Sequence, residues 1–218
     1  MNLDSNQMEK YLAIKYQAFI LLLISLLLAV AYVQQEYIVI PQISNMPVVD
    51  EVIKSKIIES YYKYRWLALP IPLVVLLFRI SLAALCLFLG SFFFERQQKI
   101  KYAEGWNIAL KSDIILILFS VLICSIAVAF GAERAGQVNL YVSFAFLVNP
   151  SITEQWLLVP IAALNVFEVG YWFFMAKLVA VQTGDGYWSS FKFVLSTYGV
   201  GYLFYIVFLM FLLLYLTN

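Results

Sequence analysis

Two isolated charges stand inside long apolar runs of this chain, and they restrict its possible folds more than any other feature. Arg79 lies within residues 69–94 and Glu168 within residues 156–176, and neither run contains another charge. A single charge in the hydrocarbon of a bilayer costs on the order of 3 kcal/mol even on lenient insertion scales. Two such charges of opposite sign therefore predict an integral membrane protein in which both side chains face protein rather than lipid.

The composition agrees with a membrane location and excludes several other classes. Of the 218 residues, 64% are hydrophobic and 12% are charged, whereas soluble domains hold about 45–50% apolar and about 25% charged residues. A net charge of +1 gives no basic field for nucleic acid. The chain has no histidine, the commonest metal ligand. We therefore expect no nucleic-acid partner, no metal, no cofactor and no separate soluble domain.

Five segments meet or approach the roughly 20 apolar residues that a spanning helix needs. They predict an all-α fold, a polytopic membrane bundle of five transmembrane helices in a single domain. More Lys and Arg fall on the side of the N-terminus, which predicts a cytoplasmic N-terminus and an outside C-terminus. A bacterial cytoplasmic membrane is expected, because no sorting signal is evident. The predicted spans cover residues 17–33, 69–94, 113–131, 156–177 and 193–216.

The widest predicted extramembrane loop, residues 34–66, contains one helical pattern. Ile53, Ile57 and Tyr61 recur at helical spacing, and Asp50 suits an N-cap. The pattern predicts one short amphipathic surface helix. Two placements stay open: the helix lies on the membrane surface, or it packs on the bundle as a connector.

The second predicted span has a face of small residues beside its charge. Arg79, Ala83, Cys86 and Gly90 recur at helical spacing, and small residues let neighbouring helices approach closely. This pattern predicts that Arg79 points into the bundle.

The fourth predicted span carries the most polar stripe of the five. Asn165, Glu168 and Trp172 share one helical face, at a depth close to that of Arg79. We therefore expect Arg79 and Glu168 to form an intramembrane ion pair. Three interpretations stay open: the pair lines a route for an ion, a proton or a polar substrate, it fixes the register of two helices, or one charge faces a partner subunit. Asp113, at the start of the third span, is expected to need no special role.

No combination of residues predicts catalysis. The chain offers no Ser–His arrangement, and Glu168 alone cannot make a general acid–base pair, because Arg79 does not titrate usefully. Residues 184–186 read Gly-Asp-Gly and are typical of a turn. We expect a protein without enzymatic activity and without catalytic residues.

The C-terminal half resembles the YIP1 family of membrane proteins. The resemblance rests on residues 164–172, which read Leu-Asn-Val-Phe-Glu-Val-Gly-Tyr-Trp, followed by a short turn at Thr183 and Gly184 and a last apolar span. It implies five spans, a cytoplasmic N-terminus and a non-enzymatic protein that acts through partners. The Asp-Leu-Tyr-Gly-Pro motif of the trafficking branch is absent, so binding of trafficking GTPases is not implied.

Taken together, these features predict an accessory or scaffold subunit that contacts membrane lipid and binds another membrane protein. The alternative is a channel or transporter subunit with a polar intramembrane path at Arg79, Asn165 and Glu168.

Overall fold

The chain is helical in its computed structural model, which describes residues 5–45, 51–94, 100–149 and 153–217. This confirms the all-α prediction; the described ranges contain no β-strand, only an isolated antiparallel bridge between Ser143 and Asn165. Asp50, the expected N-cap, lies outside the described residues. The α-helices are α1 (Ser5–Gln34), α2 (Ile40–Ser44), α3 (Glu51–Ala68), α4 (Ile71–Phe93), α5 (Tyr102–Ser112), α6 (Ile114–Phe130), α7 (Ala132–Tyr141), α8 (Gln155–Ala163), α9 (Val166–Thr183), α10 (Tyr187–Val194) and α11 (Val200–Thr217).

Four helical stretches of the described chain are long and apolar enough to cross a membrane, and five spans are not confirmed. The α5–α6 stretch turns at Asp113 without ending, and a π-helical turn, Leu195–Gly199, joins α10 to α11. The four stretches are Gln17–Ser44, Ile71–Phe93, Tyr102–Phe130 and Tyr187–Tyr215.

The fourth predicted span, residues 156–177, is not one helix. It divides into α8 and α9, with Leu164 and Asn165 in extended backbone between them. Pro160 weakens α8 from within, because proline removes one helical hydrogen bond. Asn165 then starts a new helix, since its side chain accepts a hydrogen bond from the Glu168 N–H at 2.9 Å. The break is bonded to the chain around Ser143, where the Phe144 N–H donates to the Leu164 carbonyl at 2.8 Å.

The first apolar helical stretch reaches into residues 34–44 of the predicted extramembrane loop, residues 34–66. The first helix continues past residue 33 through a π-helical turn, Gln35–Val39, and through α2. Glu36 interrupts the apolar pattern, but the structure gives it partners on α3, where Tyr62 donates to it at 3.3 Å and Arg65 lies 3.5 Å away. The surface helix is also longer than expected, because α3 runs from Glu51 to Ala68.

The chain forms two compact units, residues 1–75 and residues 76–218. The first contains α1 to α3 and the start of α4. The second contains the rest of α4 and α5 to α11, and its core includes Ile80, Leu87, Met175 and Val194. The expected single membrane domain stays a prediction.

Candidate functional site

The structure brings Arg79 and Glu168 together inside the second unit. Arg79 Nη2 donates to Glu168 Oε2 at 2.7 Å, in the range of a strong charge-assisted bond. Glu168 Oε1 accepts two further bonds, from Trp172 Nε1 at 3.0 Å and from the Tyr198 hydroxyl at 3.0 Å. Arg79 Nη2 also donates to the Tyr198 oxygen at 3.1 Å. Glu168 is 2% exposed, so its buried charge is fully hydrogen-bonded.

The break between α8 and α9 positions Glu168 beside the guanidinium of Arg79. Glu168 occupies the first turn of α9, where the positive end of the helix dipole favours a carboxylate. Asn165 caps the same turn, and Trp172 follows Glu168 by one helical turn, so that its indole N–H reaches the carboxylate. In the polar stripe predicted from the sequence, the Asn165 amide therefore caps α9 and the Trp172 indole donates a hydrogen bond to Glu168.

Asp113, to which the sequence reasoning gave no role, belongs to the same site. Its Oδ1 lies 3.2 Å from Arg79 Nε, and its side chain is 1% exposed. The Nε–H does not point at this oxygen, so the contact is an ion pair without a hydrogen bond. Among the described residues, neither Asp113 oxygen has a hydrogen-bond partner. Both carboxylates thus contact one guanidinium, and Glu168 has the neighbouring titrating group that sequence reasoning did not find.

Aromatic rings enclose the guanidinium on a further side. Arg79 Cζ lies 4.6 Å from the centre of the Tyr171 ring, a cation–π distance. Tyr171 is fully buried and packs against Tyr198 with ring centres 5.3 Å apart. Within the described chain, the Tyr171 hydroxyl has no hydrogen-bond partner. We call Arg79, Asp113, Glu168, Tyr171 and Tyr198 the charge cluster.

Glycines let α4 approach the helix that carries Tyr198. A side-chain carbon added at Gly90 would collide with the Thr197 methyl group, and one added at Gly201 would lie 2.7 Å from Cys86 Sγ. The small face predicted on the second span is thus in contact with the small residues of the last one. Tyr198 lies in the π-helical turn between α10 and α11. Irregular turns of this kind often occur at functional sites.

The other predicted site residues lie elsewhere. Ile53, Ile57 and Tyr61 belong to α3, in the first unit, and no residue of α3 is buried. Burial of its hydroxyl raises the pKa of Tyr61, against a smaller opposing effect of Arg65. No group of three His, Cys, Asp or Glu side chains that could hold a metal occurs in the described ranges.

Comparison with protein-family models, curated proteins and solved structures finds no match to this chain. The resemblance of residues 164–172 to the YIP1 family therefore stays a prediction.

Proposed function

We propose that the protein is a non-enzymatic integral membrane accessory subunit that binds another membrane protein. The observation that carries this proposal is the exposed part of Arg79. Its side chain is 27% exposed in the middle of the apolar helix α4. A polar group from a second membrane protein is a natural neighbour for a guanidinium edge at this depth, because lipid tails cannot solvate it.

The rest of the charge cluster supports a structural role for the ion pair. Glu168 accepts from three side chains on three different segments, so it has little capacity left for a substrate. Arg79 Nε is buried and Nη2 is occupied. Among the described residues, the remaining nitrogen, Nη1, has no hydrogen-bond partner. The cluster thus holds the helices in register while leaving one edge of the guanidinium to an outside acceptor.

A photo-cross-linking pair tests the accessory role. A benzophenone amino acid replaces Phe78, next to Arg79, or Phe208 on α11, two positions of matched exposure at 65% and 64%. We expect a discrete protein adduct at position 78 and lipid adducts at position 208. Native purification in mild detergent, with mass spectrometry of the adduct, then identifies the partner. Lipid adducts at both positions would contradict the proposal.

Membrane lipid is the second expected neighbour. Exposed aromatic residues follow helical spacing along α11, as a lipid-facing stripe should. They are Phe204, Phe208, Phe211 and Tyr215.

A channel or transporter subunit is the second candidate, and the broken helix favours it. Interrupted helices beside buried charges are typical of transporter binding sites, and Leu164 and Asn165 interrupt an apolar segment next to Glu168. A cysteine at Leu164, in a chain with Cys86 and Cys124 changed to alanine, should then react with a charged thiol reagent. A cysteine at Phe208 is the lipid-facing control. Labelling at neither position would exclude a hydrated path at the break.

We also propose that α8 and α9 together make a fifth crossing, with the N-terminus in the cytoplasm and the C-terminus outside, in a bacterial cytoplasmic membrane. The excess of Lys and Arg on the N-terminal side supports this orientation. An alkaline phosphatase fused after residue 218 should be active, because the enzyme folds only outside. With four crossings the C-terminus would lie in the cytoplasm. The fused phosphatase would then be inactive, and a fluorescent protein fused after residue 218 would be bright.

A further inference from the structure

The charge cluster contains more acid than base. It holds one guanidinium and two carboxylates, and the two carboxylates are 1% and 2% exposed. With both acids ionised, a net negative charge would lie inside the protein at membrane depth. A buried group in this position neutralises rather than remains charged without a partner.

The two carboxylates do not share the guanidinium equally. Glu168 receives hydrogen bonds from Arg79, Trp172 and Tyr198, and it lies at the positive end of α9. Asp113 receives none, although Arg79 Nε lies 3.2 Å from its Oδ1. Hydrogen bonds to the ionised form stabilise that form, and Asp113 is the acid whose two oxygens have no hydrogen-bond partner among the described residues.

Tyr171 is a second member of the charge cluster with an unpaired polar atom among the described residues. The Tyr171 hydroxyl is fully buried without a hydrogen-bond partner among the described residues, and it lies within electrostatic range of Asp113. A hydroxyl can accept a bond from a protonated carboxyl or donate one to a carboxylate, so Tyr171 is compatible with a proton on Asp113. A metal cation fits less well, because the guanidinium already lies against Asp113.

We propose that Asp113 is a proton-binding site within the membrane-spanning part of the protein. One proton, delivered by hydronium with release of water, binds a carboxylate oxygen of Asp113 and cancels the excess charge of the cluster. Asp113 holds the proton because Glu168, rather than Asp113, receives the hydrogen bond of Arg79. The proposal is independent of the accessory role.

The groups that face Asp113 come from every helix packed on the cluster. Arg79 approaches from α4, Glu168 and Tyr171 from α9, and Tyr198 from the π-helical turn. Of these, only Arg79 is a cation. On its own stretch, the nearby Lys111 is exposed.

Infrared spectroscopy of the full chain in liposomes tests the site directly. The carbonyl stretch of a protonated carboxyl is separate from the bands of carboxylates, and carbon-13 at the aspartate side chain identifies it as an aspartic acid. We expect this isotope-shifted band at neutral pH in the unchanged protein. Asp113→Asn should remove it, and Asp185→Asn, at an exposed aspartate, should leave it. Absence of the band from the unchanged protein, or its survival in Asp113→Asn, would overturn the proposal.

Glu168→Gln tests the competition for Arg79. With one carboxylate left for one guanidinium, Asp113 should ionise and the band should disappear at neutral pH. Persistence of the band in Glu168→Gln would refute the competition. If this variant does not fold, the labelled unchanged protein still decides the site: its band should persist at pH values at which an ordinary aspartate is ionised, and a band lost at acidic pH would refute the proposal.

Discussion

Each compact unit of the chain holds a group of one arginine, one glutamate and two tyrosines in contact, and the two groups differ in the burial of the glutamate and in the second carboxylate, Asp113, that lies against Arg79. In both, the arginine lies over a tyrosine ring, at 4.7 Å in the first unit and 4.6 Å in the second. In both, a tyrosine hydroxyl donates to the glutamate. The first-unit group is Tyr32, Glu36, Tyr62 and Arg65; the second-unit group is Arg79, Glu168, Tyr171 and Tyr198.

The surroundings of each group change how much the same side chains contribute to the stability of the fold. Glu36 is 34% exposed and lies 3.5 Å from Arg65, whereas Glu168 is 2% exposed and lies 2.7 Å from Arg79. Water or lipid headgroups can replace either partner of the first pair, so its loss costs little. No solvent replaces a partner of the second, so removal of one member leaves an uncompensated buried charge. The burial of Glu168, together with the buried Asp113, distinguishes the second group from the first.

The largest expected effect comes from Arg79→Ala. Two buried carboxylates then lose the one cation that contacts them among the described residues, and we expect a loss of about 3–5 kcal/mol in the free energy of unfolding. Unfolding in mixed micelles with increasing SDS measures this loss of stability.

The exchange Arg79→Glu with Glu168→Arg should recover part of the stability that either single exchange loses. A double variant no more stable than the worse single one would contradict direct pairing.

Tyr198→Phe should have the next largest effect. It removes one donor to Glu168 and one acceptor for Arg79, and a hydrogen bond to a charged group contributes about 1.5–3 kcal/mol. The matched variant in the first unit is Tyr62→Phe, which should leave the unfolding midpoint unchanged. Equal losses of stability in Tyr198→Phe and Tyr62→Phe would show that the two groups do not differ in their contribution to the fold.

Gly201→Ala tests whether close helix packing is needed to hold the second group together. The new methyl group would lie 2.7 Å from Cys86 Sγ, and such overpacking costs about 1–3 kcal/mol. Cys86→Ala removes that sulfur atom, so the double variant should regain stability relative to Gly201→Ala alone. A double variant as unstable as the single one would locate the strain elsewhere.

Arg65→Ala should have the smallest effect of the series. Its pairing with Glu36 is exposed, and exposed pairs are screened by salt. We expect no measurable change in the unfolding midpoint, at low or high ionic strength. A loss comparable to that of Arg79→Ala would show that the first-unit group is buried in the membrane-embedded protein.

The sequence was most informative where a residue stood out from its surroundings. Arg79 and Glu168 are single charges in apolar runs, so the reason for expecting them to meet needs only the cost of a charge in hydrocarbon. Asp113 follows Lys111 beside an apolar run and looks like the end of a span. Asp113 is buried because the helical stretch begins at Tyr102, well before Asp113. Polar residues at the start of α5 hide this earlier start in the sequence pattern.

Other features depend on tertiary contacts that leave weak local patterns. Tyr198 lies in a helix rich in tyrosine and phenylalanine, and only the packing of α4 against it makes its hydroxyl a donor to Glu168. The break at Asn165 had a signal, because Asn before a Glu three residues later is typical of a helix start. Continuous hydrophobicity on both sides concealed it.

The π-helical turn that carries Tyr198 makes the last helix sensitive to its length. Such a turn holds one residue more than an α-helix of the same rise, so it rotates all later residues by roughly 100°. A one-residue deletion within Leu195–Gly199 would remove the extra residue and restore regular winding with Gly201 still against Cys86. A frame-preserving loss of one codon in this turn would therefore preserve the packing of α11, whereas the same loss within α11 would rotate its later residues by roughly 100°.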